Sequence, residues 1–528
     1  MASGRRGDSG VSDPLCSINS KGLSIRPQFD HGVVVQRDWR DDRIAELEAE
    51  LAAKDARIAE QAARIAEQGG RIADQDRRIA ELEKRLAQLA EQLGQNSRNS
   101  HRPPSSDTPE ERRKRKNQEK KARQARKRGG QPGHPGAHRE LVPPEKVSKF
   151  VDLFPAECES CWKSLPAVPD ALATRYQQTE VPPIEPRTTE WRRHQVTCPC
   201  CGYKTRAAYD GDQVPTSPFG PRLMAIMALL TGVYHLGRRR AVELLSDIVG
   251  VRVSLGALSA VEARVSCAVQ PCVDEAWDRV RAADVKHTDG TSWYQGGVTM
   301  ALWTLAASGV TVFKILANSA KNTLRPLYGA LNGILVSDRA KALNFWVMAQ
   351  RQICWAHLLR KFIAFSERAG PSAAFGKKLL DYTGLVFDYW HDYKQGKLDH
   401  ATFVTWLAPV RQQLETILAD AVAGDVSGLS GSCADILEHR QALWTFADQA
   451  GVEPTNNHAE REIRAFVLWR KRSFGTQSER GNTFAENLMT VAYTARKQQR
   501  NVLAFLSACC NAARDDVPPP SLFGTAAV

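Results

Sequence analysis

The sequence predicts a multidomain α/β protein built around a mixed β-sheet. A chain of 528 residues is too long for one hydrophobic core and should form several domains. Helices are expected at residues 320–331 and 340–349, and residues 376–450 predict a helical insertion rich in aromatic side chains. Short β-branched runs predict buried strands at residues 285–289, 299–306, 310–316 and 334–338. Three adjacent strands, a helix and a fourth strand are typical of a mixed sheet.

Changes in composition and periodicity divide the chain into nine segments. The predicted boundaries are 1–40 disordered, 41–95 coiled coil, 96–139 basic linker, 140–212 zinc-binding module, 213–275 helical and helix-turn-helix-like, 280–375 first part of the sheet core, 376–450 helical insertion, 451–512 second part of the core with C-terminal helices, and 513–528 tail.

The charge balance predicts a polyanionic partner. The formal net charge of +13 favours nucleic acid over a membrane surface. No apolar stretch is long enough to span a bilayer, and the polar N-terminus predicts no secretory signal. We therefore expect a cytoplasmic, nucleoid-associated location. In that compartment the twelve cysteines favour metal binding or free buried thiols over disulfides.

The first regular pattern is a heptad repeat. An isoleucine or leucine recurs at every seventh position from Ile44 to Leu93. Such a repeat predicts a coiled coil and self-association, and the alternative is a long helix folded back on its own chain. Gly69 and Gly70 should weaken the helix, by about 1 kcal/mol each relative to alanine.

The following linker is strongly basic and contains two candidate interaction segments. Eleven lysines and arginines lie between residues 112 and 128, and a Gly/Pro-rich segment follows at residues 129–136. The basic run predicts either a phosphate-binding arm or a merely solvated segment.

Two C-x₂-C pairs predict a structural zinc site. Its ligands would be Cys158, Cys161, Cys198 and Cys201. Two pairs of thiolates can complete a closed tetrahedral site that holds a small module together. The neighbouring Cys200 and His194 are alternative ligands, and buried free cysteines are the alternative explanation.

The region after the cysteines predicts helices and DNA contact. Helix, turn and helix follow one another from Pro221, and Arg238, Arg239 and Arg240 stand at the start of the second helix. This arrangement resembles a helix-turn-helix, although many helical hairpins share the pattern.

Three acidic residues form the most informative pattern of the chain. Asp289 and Asp338 end predicted strands, and Glu460 lies on a predicted helix face with Arg461 and Arg464. Each alone would be an ordinary surface carboxylate. Together they predict a divalent cation site, because three close carboxylates repel one another unless a cation binds.

Several motifs resemble those of insertion sequence 66 family transposases. They are the Cys354-Trp355-Ala356-His357 motif with Arg360-Lys361-Phe362, the run from Asn456 to Arg464, residues 96–107, residues 130–136 and the paired cysteines. The strand order also looks like the ribonuclease-H-like fold. The resemblance implies that Asp289, Asp338 and Glu460 are a catalytic triad. Two departures are Gly290, where many relatives have glutamate, and His458, at a variable position.

The resemblance implies a DNA transposase. Its expected cofactors are two Mg²⁺ or Mn²⁺ ions at the triad and a structural Zn²⁺. Expected partners are terminal inverted repeats, target DNA, a second copy of the chain through the coiled coil and accessory proteins of the same element. The remaining residues expected to contact DNA are His357, Arg360, Lys361, Arg461 and Arg464.

Alternative interpretations stay open for some of these residues and for the chain as a whole. His357 is either a phosphate or proton-transfer group or a packed core histidine, and Glu460 with Arg464 is either functional or an ordinary surface pair. A non-catalytic DNA-binding protein derived from a transposase is the alternative for the whole chain. A structure-specific nuclease that never joins DNA ends is a third interpretation of the whole chain.

Overall fold

A computed structural model describes residues 39–100, 107–113, 140–209, 214–426 and 428–524. The predicted disorder before residue 39, the basic run after residue 113 and the Gly/Pro-rich segment lie outside the described residues. The chain forms two compact units, Met1–Gln92 and Leu93–Val528. Within the described ranges, no helix combines the length and the hydrophobicity that a bilayer crossing requires.

The heptad region is a single helix, α1, which spans Trp39–Leu93. It continues through Gly69 and Gly70. Its heptad isoleucines and leucines are exposed in the single chain, and Ile65 for example is 68% exposed. A continuous exposed apolar stripe is the surface that a coiled-coil partner covers. Self-association through α1 stays a prediction.

The segment at residues 140–209 has little regular structure. Strands β1 (Gln195–Thr197) and β2 (Lys204–Arg206) form an antiparallel pair. None of the described side chains between residues 140 and 209 is buried. A segment without a hydrophobic core needs another source of stability, such as a metal ion.

The next region is helical and shares its core with the C-terminal helices. Met227 and Leu258 from this region cluster with Leu488 and Leu506 from the end of the chain. A Cβ atom at Gly232 would lie 2.9 Å from the Phe484 ring, so glycine allows this close packing. The helices are α2 (Pro221–Ala228), α3 (Arg238–Leu244), α4 (Leu255–Ala268) and α5 (Gln270–Ala282), and π-helical turns extend α2 through Leu229–Val233 and α3 through Leu245–Val249.

The centre of the molecule is a five-stranded mixed sheet with the order β5-β4-β3-β6-β7. β3 pairs antiparallel with β4 and parallel with β6, and β7 adds a second parallel pair. This topology fits the ribonuclease-H-like fold expected from the sequence. The elements are β3 (Val285–Gln295), β4 (Val298–Ala307), β5 (Val310–Leu316), α6 (Lys321–Tyr328), β6 (Ile334–Ser337) and β7 (Arg351–Ile353).

The helix predicted at residues 340–349 is wrong, and β7 was not predicted. The chain there forms only single turns at Lys341–Leu343 and Met348–Gln350. The guanidinium of the buried Arg351 donates to Asp338 O at 2.8 Å and to Asn344 Oδ1 at 2.9 Å. These contacts satisfy polar groups of an irregular backbone, and they outweigh the local helix propensity.

Residues 376–450, predicted as a helical insertion, lie in a longer helical region that begins at Trp355 and packs on the sheet. Ile334, Val336 and Ile353 share a hydrophobic core with its helices. These helices are α7 (Trp355–Ser366), α8 (Pro371–Lys394), α9 (His400–Ala423), α10 (Ser430–Glu438), α11 (Arg440–Leu443) and α12 (Thr445–Asp448). The chain then forms α13 (Asn457–Ser473), α14 (Glu479–Lys497) and α15 (Val502–Arg514).

Candidate active site

Asp289 lies on β3 and faces the side of the sheet that α13 covers. Alternate residues of a strand share a face, so Asp289 points to the same side as Trp293. The Trp293 ring packs against Phe466 and Trp469 of α13, at centroid distances of 5.4 and 5.8 Å. Asp289 Oδ1 accepts a hydrogen bond from Gly290 N at 2.9 Å. The sheet pleat therefore directs this carboxylate towards the helix that carries Glu460.

Asp338 directly follows β6, which is parallel to β3 and adjacent to it. Parallel neighbours end at the same edge of a sheet, so this carboxylate lies near the one on β3. Asp338 Oδ1 accepts a hydrogen bond from Ala340 N at 2.9 Å, and its carbonyl oxygen accepts from Arg351. The backbone that carries Asp338 is thus fixed by a buried guanidinium.

Glu460 lies in the first turn of α13 and faces α7. Its Oε1 is 3.7 Å from His357 Nδ1, and its Oε2 is 3.8 Å from an Arg360 guanidinium nitrogen. In the described part of the chain, these two residues are its ion-pair partners, and no pair forms with Arg464. The helical insertion therefore brings Glu460 back to the sheet beside the Cys354–Phe362 motif.

The three carboxyl groups act on one another electrostatically. Burial raises the pKa of Asp289 to about 7, with further upward contributions from Asp338 and Glu460. Burial also raises the pKa of Glu460, where Arg360 acts in the opposite direction and Asp338 adds to the rise. These contributions make Asp338 an electrostatic neighbour of both Asp289 and Glu460. Among the described residues, the groups of three or more metal-ligand atoms within 4.8 Å do not include the three carboxylates together.

The donor atoms fit a hard divalent cation. Glu460 Oε1 is buried and, among the described residues, accepts no hydrogen bond. The ligand atoms of Cys354, His357 and Glu460 lie within 4.8 Å of one another. Burial raises the pKa of Cys354 to about 11, so its thiol stays neutral and is a poor ligand. The three carboxylates are thus the better donor set, and oxygen ligands suit Mg²⁺ or Mn²⁺.

Asn456 connects the elements that carry these carboxylates. Its side-chain Nδ2 donates to Thr288 O at 2.7 Å, directly before Asp289 on β3. Its backbone N–H donates to Cys354 Sγ at 3.1 Å, and its carbonyl accepts from Glu460 N at 3.2 Å. An asparagine at a helix start usually caps the helix with its side chain, but this one makes no such bond. The sequence motif contains Asn456, but the sequence alone did not predict that this residue connects β3 to the start of α13.

A second polar network includes His458 and Glu462, each two residues from Glu460 on α13. His458 Nε2 is 2.9 Å from Lys497 Nζ, which is 3.1 Å from Glu462 Oε1. Thr311 donates to Glu462 Oε2 at 3.1 Å, and the His287 ring lies 4.9 Å from the His458 ring. Burial lowers the pKa of both histidines to about 4, so they are neutral at pH 7. The network joins the first turn of α13 to α14 and β5.

Packing across the sheet explains why glycine occupies position 290. It pairs across the sheet with Trp303, and a Cβ atom at Gly290 would lie 2.8 Å from the Trp303 ring. The indole thus occupies the space that a side chain at position 290 would need.

Comparison with known proteins identifies the family. Residues 216–483, just over half of the chain, match the model described as Transposase IS66 family. The chain belongs to this family. The matched region contains Asp289, Asp338 and Glu460, and it includes the whole sheet. Residues 36–140 of this transposase match a family of unknown function (DUF6444). No curated protein matches the chain.

The three arginines predicted to bind DNA differ in their environments. Arg238 forms a fork-like pair with the buried Glu262, with Nε 3.0 Å from Oε2 and Nη2 2.5 Å from the same oxygen. Arg240 pairs with the exposed Glu243 at 2.6 Å. All three arginines line an open cavity of about 500 Å³ at the starts of α3 and α4. Arg239 and Arg240 are therefore better placed than Arg238 to meet a phosphate.

The other predicted DNA-binding residues lie on α7 and α13. His357 and Arg360 approach Glu460, as described above. Lys361 Nζ lies 5.4 Å from the centroid of the Phe365 ring. Arg461 and Arg464 are exposed on α13, one and four residues after Glu460.

The cysteine pairs of this transposase form two separate turns. Trp162 N donates to Cys158 O and Gly202 N donates to Cys198 O, both at 2.9 Å. Backbone N–H groups lower the thiol pKa of Cys158 and of Cys198, as a thiolate ligand requires. Among the described residues, the groups of three or more metal-ligand atoms within 4.8 Å include none of these cysteines, nor Cys200 or His194. The structure forms each turn but does not join them.

Proposed function

We propose that this chain is a DNA transposase that binds the terminal inverted repeats of its element and catalyses metal-dependent cleavage and joining of DNA strands. One observation carries the proposal: in a member of a transposase family, Asp338 and Glu460 contribute to the raised pKa of Asp289, and Asp338 contributes to that of Glu460. Three partly buried carboxylates whose like charges act on one another form a poor structural contact. They form a suitable site for cations that bind phosphate oxygens.

Each carboxylate has a proposed role. Asp289 has Asp338 and Glu460 as charged neighbours and is proposed to bridge two Mg²⁺ or Mn²⁺ ions. Asp338 is proposed to hold one ion and Glu460 the other. When bound, two such ions activate an attacking oxygen and stabilise a leaving oxygen in an in-line displacement.

The surrounding side chains position the site. His357 and Arg360 flank Glu460, and Arg360 offers a guanidinium that can move from the carboxylate to a phosphate oxygen.

In the cleavage step, a water oxygen bonds to phosphorus while the bond to the 3′ oxygen breaks and that oxygen takes up a proton. In the joining step, the freed 3′ hydroxyl oxygen bonds to a phosphorus of the target DNA and gives up its proton, while the bond from that phosphorus to the target's own 3′ oxygen breaks and this oxygen takes up a proton.

Three further binding functions belong to the proposal. The cysteine turns at Cys158–Cys161 and Cys198–Cys201 are proposed to share a structural zinc ion, since backbone hydrogen bonds lower the pKa of the first thiol in each turn. The exposed heptad stripe of α1 is proposed to pair with a second copy of the chain. Arg239, Arg240, Arg461 and Arg464 are proposed to contact DNA phosphates.

The test is strand cleavage by the purified full-length chain. The substrate is DNA that carries the inverted repeats flanking the gene, with shuffled repeats as the control. We expect nicking at the repeat ends only when Mg²⁺ or Mn²⁺ is present, followed by joining to a second DNA. Repeat-specific binding without any nicking, under both ions, would instead support the non-catalytic alternative. Cutting without joining would support the stand-alone nuclease.

A further inference from the structure

An exposed aromatic residue stands at the end of the helix that carries Glu460. Phe474 ends α13 with a left-handed φ of 57°, and its side chain is 77% exposed. Helices that end in this conformation usually have glycine there, because a side chain is strained. An exposed phenylalanine gains little from the core in return. Unusual backbone conformations of this kind often mark functional positions.

Phe474 is held firmly despite its exposure. The next residue, Gly475, packs directly on the backbone of Tyr294, and a Cβ atom there would clash with the Tyr294 carbonyl oxygen. Thr476 N donates to the same oxygen at 2.9 Å, and Gly296 N donates to Thr476 O at 2.9 Å. The position of Phe474 is therefore fixed relative to the tip of the β3–β4 hairpin.

Apolar side chains at the tip of the β3–β4 hairpin are also exposed. Tyr294 is 37% exposed and Val298 is 66% exposed, both at the hairpin tip. Leu468, on the exposed face of α13, is 47% exposed. Phe474 and Tyr294 thus provide aromatic surface at one end of the helix.

The surface between this end and the active site is basic. Arg461, Arg464 and Lys471 recur at spacings of three or seven residues and share the exposed face of α13. Arg472 is exposed in the next position, and Arg470 donates to Ser292 Oγ at 2.6 Å on β3. A row of cations that leads to an exposed aromatic ring is typical of surfaces that bind single-stranded nucleic acid.

We propose that the C-terminal end of α13 binds the DNA strand that leaves the active site, with an unpaired base stacked on Phe474. The cations of α13 bind the phosphates between the two points. This inference rests on the proposed function, since it takes Glu460 as the start of the path. From Glu460 to Phe474, α13 rises about 21 Å, and β3 spans about 17 Å from Asp289 to Tyr294. For a strand that keeps the 3.4 Å rise per nucleotide of duplex DNA, these lengths correspond to about five to six nucleotides.

The test measures binding separately from cleavage. The probes are a fluorescein-labelled 20-nucleotide single strand of mixed sequence and the same strand in a duplex, titrated with the full-length chain without divalent ions. We expect Phe474→Gly to bind the single strand about tenfold more weakly, and the duplex less than twofold more weakly. Its Tm should equal or exceed that of the wild type, because glycine relieves the left-handed strain.

Matched variants define the source of the effect. Phe474→Trp should retain single-strand affinity, because it keeps an aromatic face. Leu468→Ala, an exposed apolar change on the same helix, should alter neither affinity. The double variant Lys471→Ala with Arg472→Ala should weaken binding to both probes and reduce the salt dependence.

The outcomes separate this inference from the proposed function. It is overturned if Phe474→Gly binds the single strand as well as the wild type does, if both probes lose affinity equally, or if the wild type has no measurable single-strand affinity. A wild type that shows selective stacking but never nicks repeat DNA would reject the proposed catalysis and keep the stacking surface. In repeat DNA that is nicked, an abasic site about five to six nucleotides from the nick should remove the advantage of Phe474.

Discussion

The carboxylate site and the cysteine pairs both gather anionic groups that are distant in sequence, but the fold treats them differently. Asp289, Asp338 and Glu460 are carried by a buried sheet and a packed helix, and Asp338 is an electrostatic neighbour of the other two. The cysteine turns lie in a segment in which no described side chain is buried. A cation at the carboxylates would relieve repulsion in a folded site. Zinc at the cysteines would itself supply the long-range link, so its binding energy would be folding energy.

The largest expected effect breaks the carboxylate site. Asp289→Asn should reduce strand cleavage by roughly 1000-fold or more, because the neutral amide cannot bridge two cations. DNA binding should stay within about twofold, since the phosphate contacts are left in place. Gel-based cleavage and binding assays measure the two quantities. Asp278→Asn, at a side chain 84% exposed on α5, is the matched control and should cleave normally. Cleavage retained by Asp289→Asn would exclude this residue from the triad.

The second effect tests the cysteine pairs. Removal of zinc with a chelator should make residues 140–209 sensitive to protease, while residues 214–524 stay resistant because they have their own core. Limited proteolysis with mass spectrometry measures both regions. Cys158→Ser should lower the zinc content and act like the chelator, whereas Cys267→Ser, an exposed cysteine of the helical region, should not. Equal zinc content in all three proteins would argue against this site.

The third effect concerns the connection made by Asn456. Asn456→Ala removes the bond to Thr288 O, so Glu460 should be held less firmly relative to Asp289. We expect cleavage to fall by about 10–100-fold and the Mg²⁺ concentration for half-maximal activity to rise. Repeat-DNA affinity should be unchanged. The neighbouring Asn457→Ala, at an exposed position, is the control. A loss of activity that higher Mg²⁺ does not reduce would indicate a general structural role instead.

The smallest effect is on stability as the pH changes. Because the pKa of Asp289 is raised from 3.8 to about 7, the metal-free folded state binds this proton more tightly than the unfolded state does. That contribution to stability is present at low pH and is lost as the pH rises from about 4 through about 7. The Asp289→Asn variant has no titratable carboxyl at this position and therefore lacks this pH-dependent contribution to stability. In chelator-treated protein, the Tm of the wild type should therefore fall relative to Asp289→Asn by a few degrees between pH 5 and pH 8. Parallel curves for the two proteins would show that Asp289 is not protonated in the folded state.

Local patterns were enough to predict much of the core. The strands that carry Asp289 and Asp338 were predicted from β-branched runs, and Glu460 was predicted on a helix, as the structure has it. The helix at residues 340–349 was wrong because Arg351 satisfies the polar groups of an irregular backbone there. Local periodicity contains no information about such a contact.

The sequence by itself determined most of the helices and strands, the presence of Asp289 on a strand and of Glu460 on a helix, and the membership in a transposase family. These features depend on neighbouring residues, whose spacing sets the face and the ends of each element. Only the tertiary structure decided that Glu460 lies beside His357 and Arg360, that Asn456 bonds to β3 and that Arg238 pairs with a buried glutamate. Those contacts join residues that are far apart in the chain, and they form only when packed elements bring the residues together.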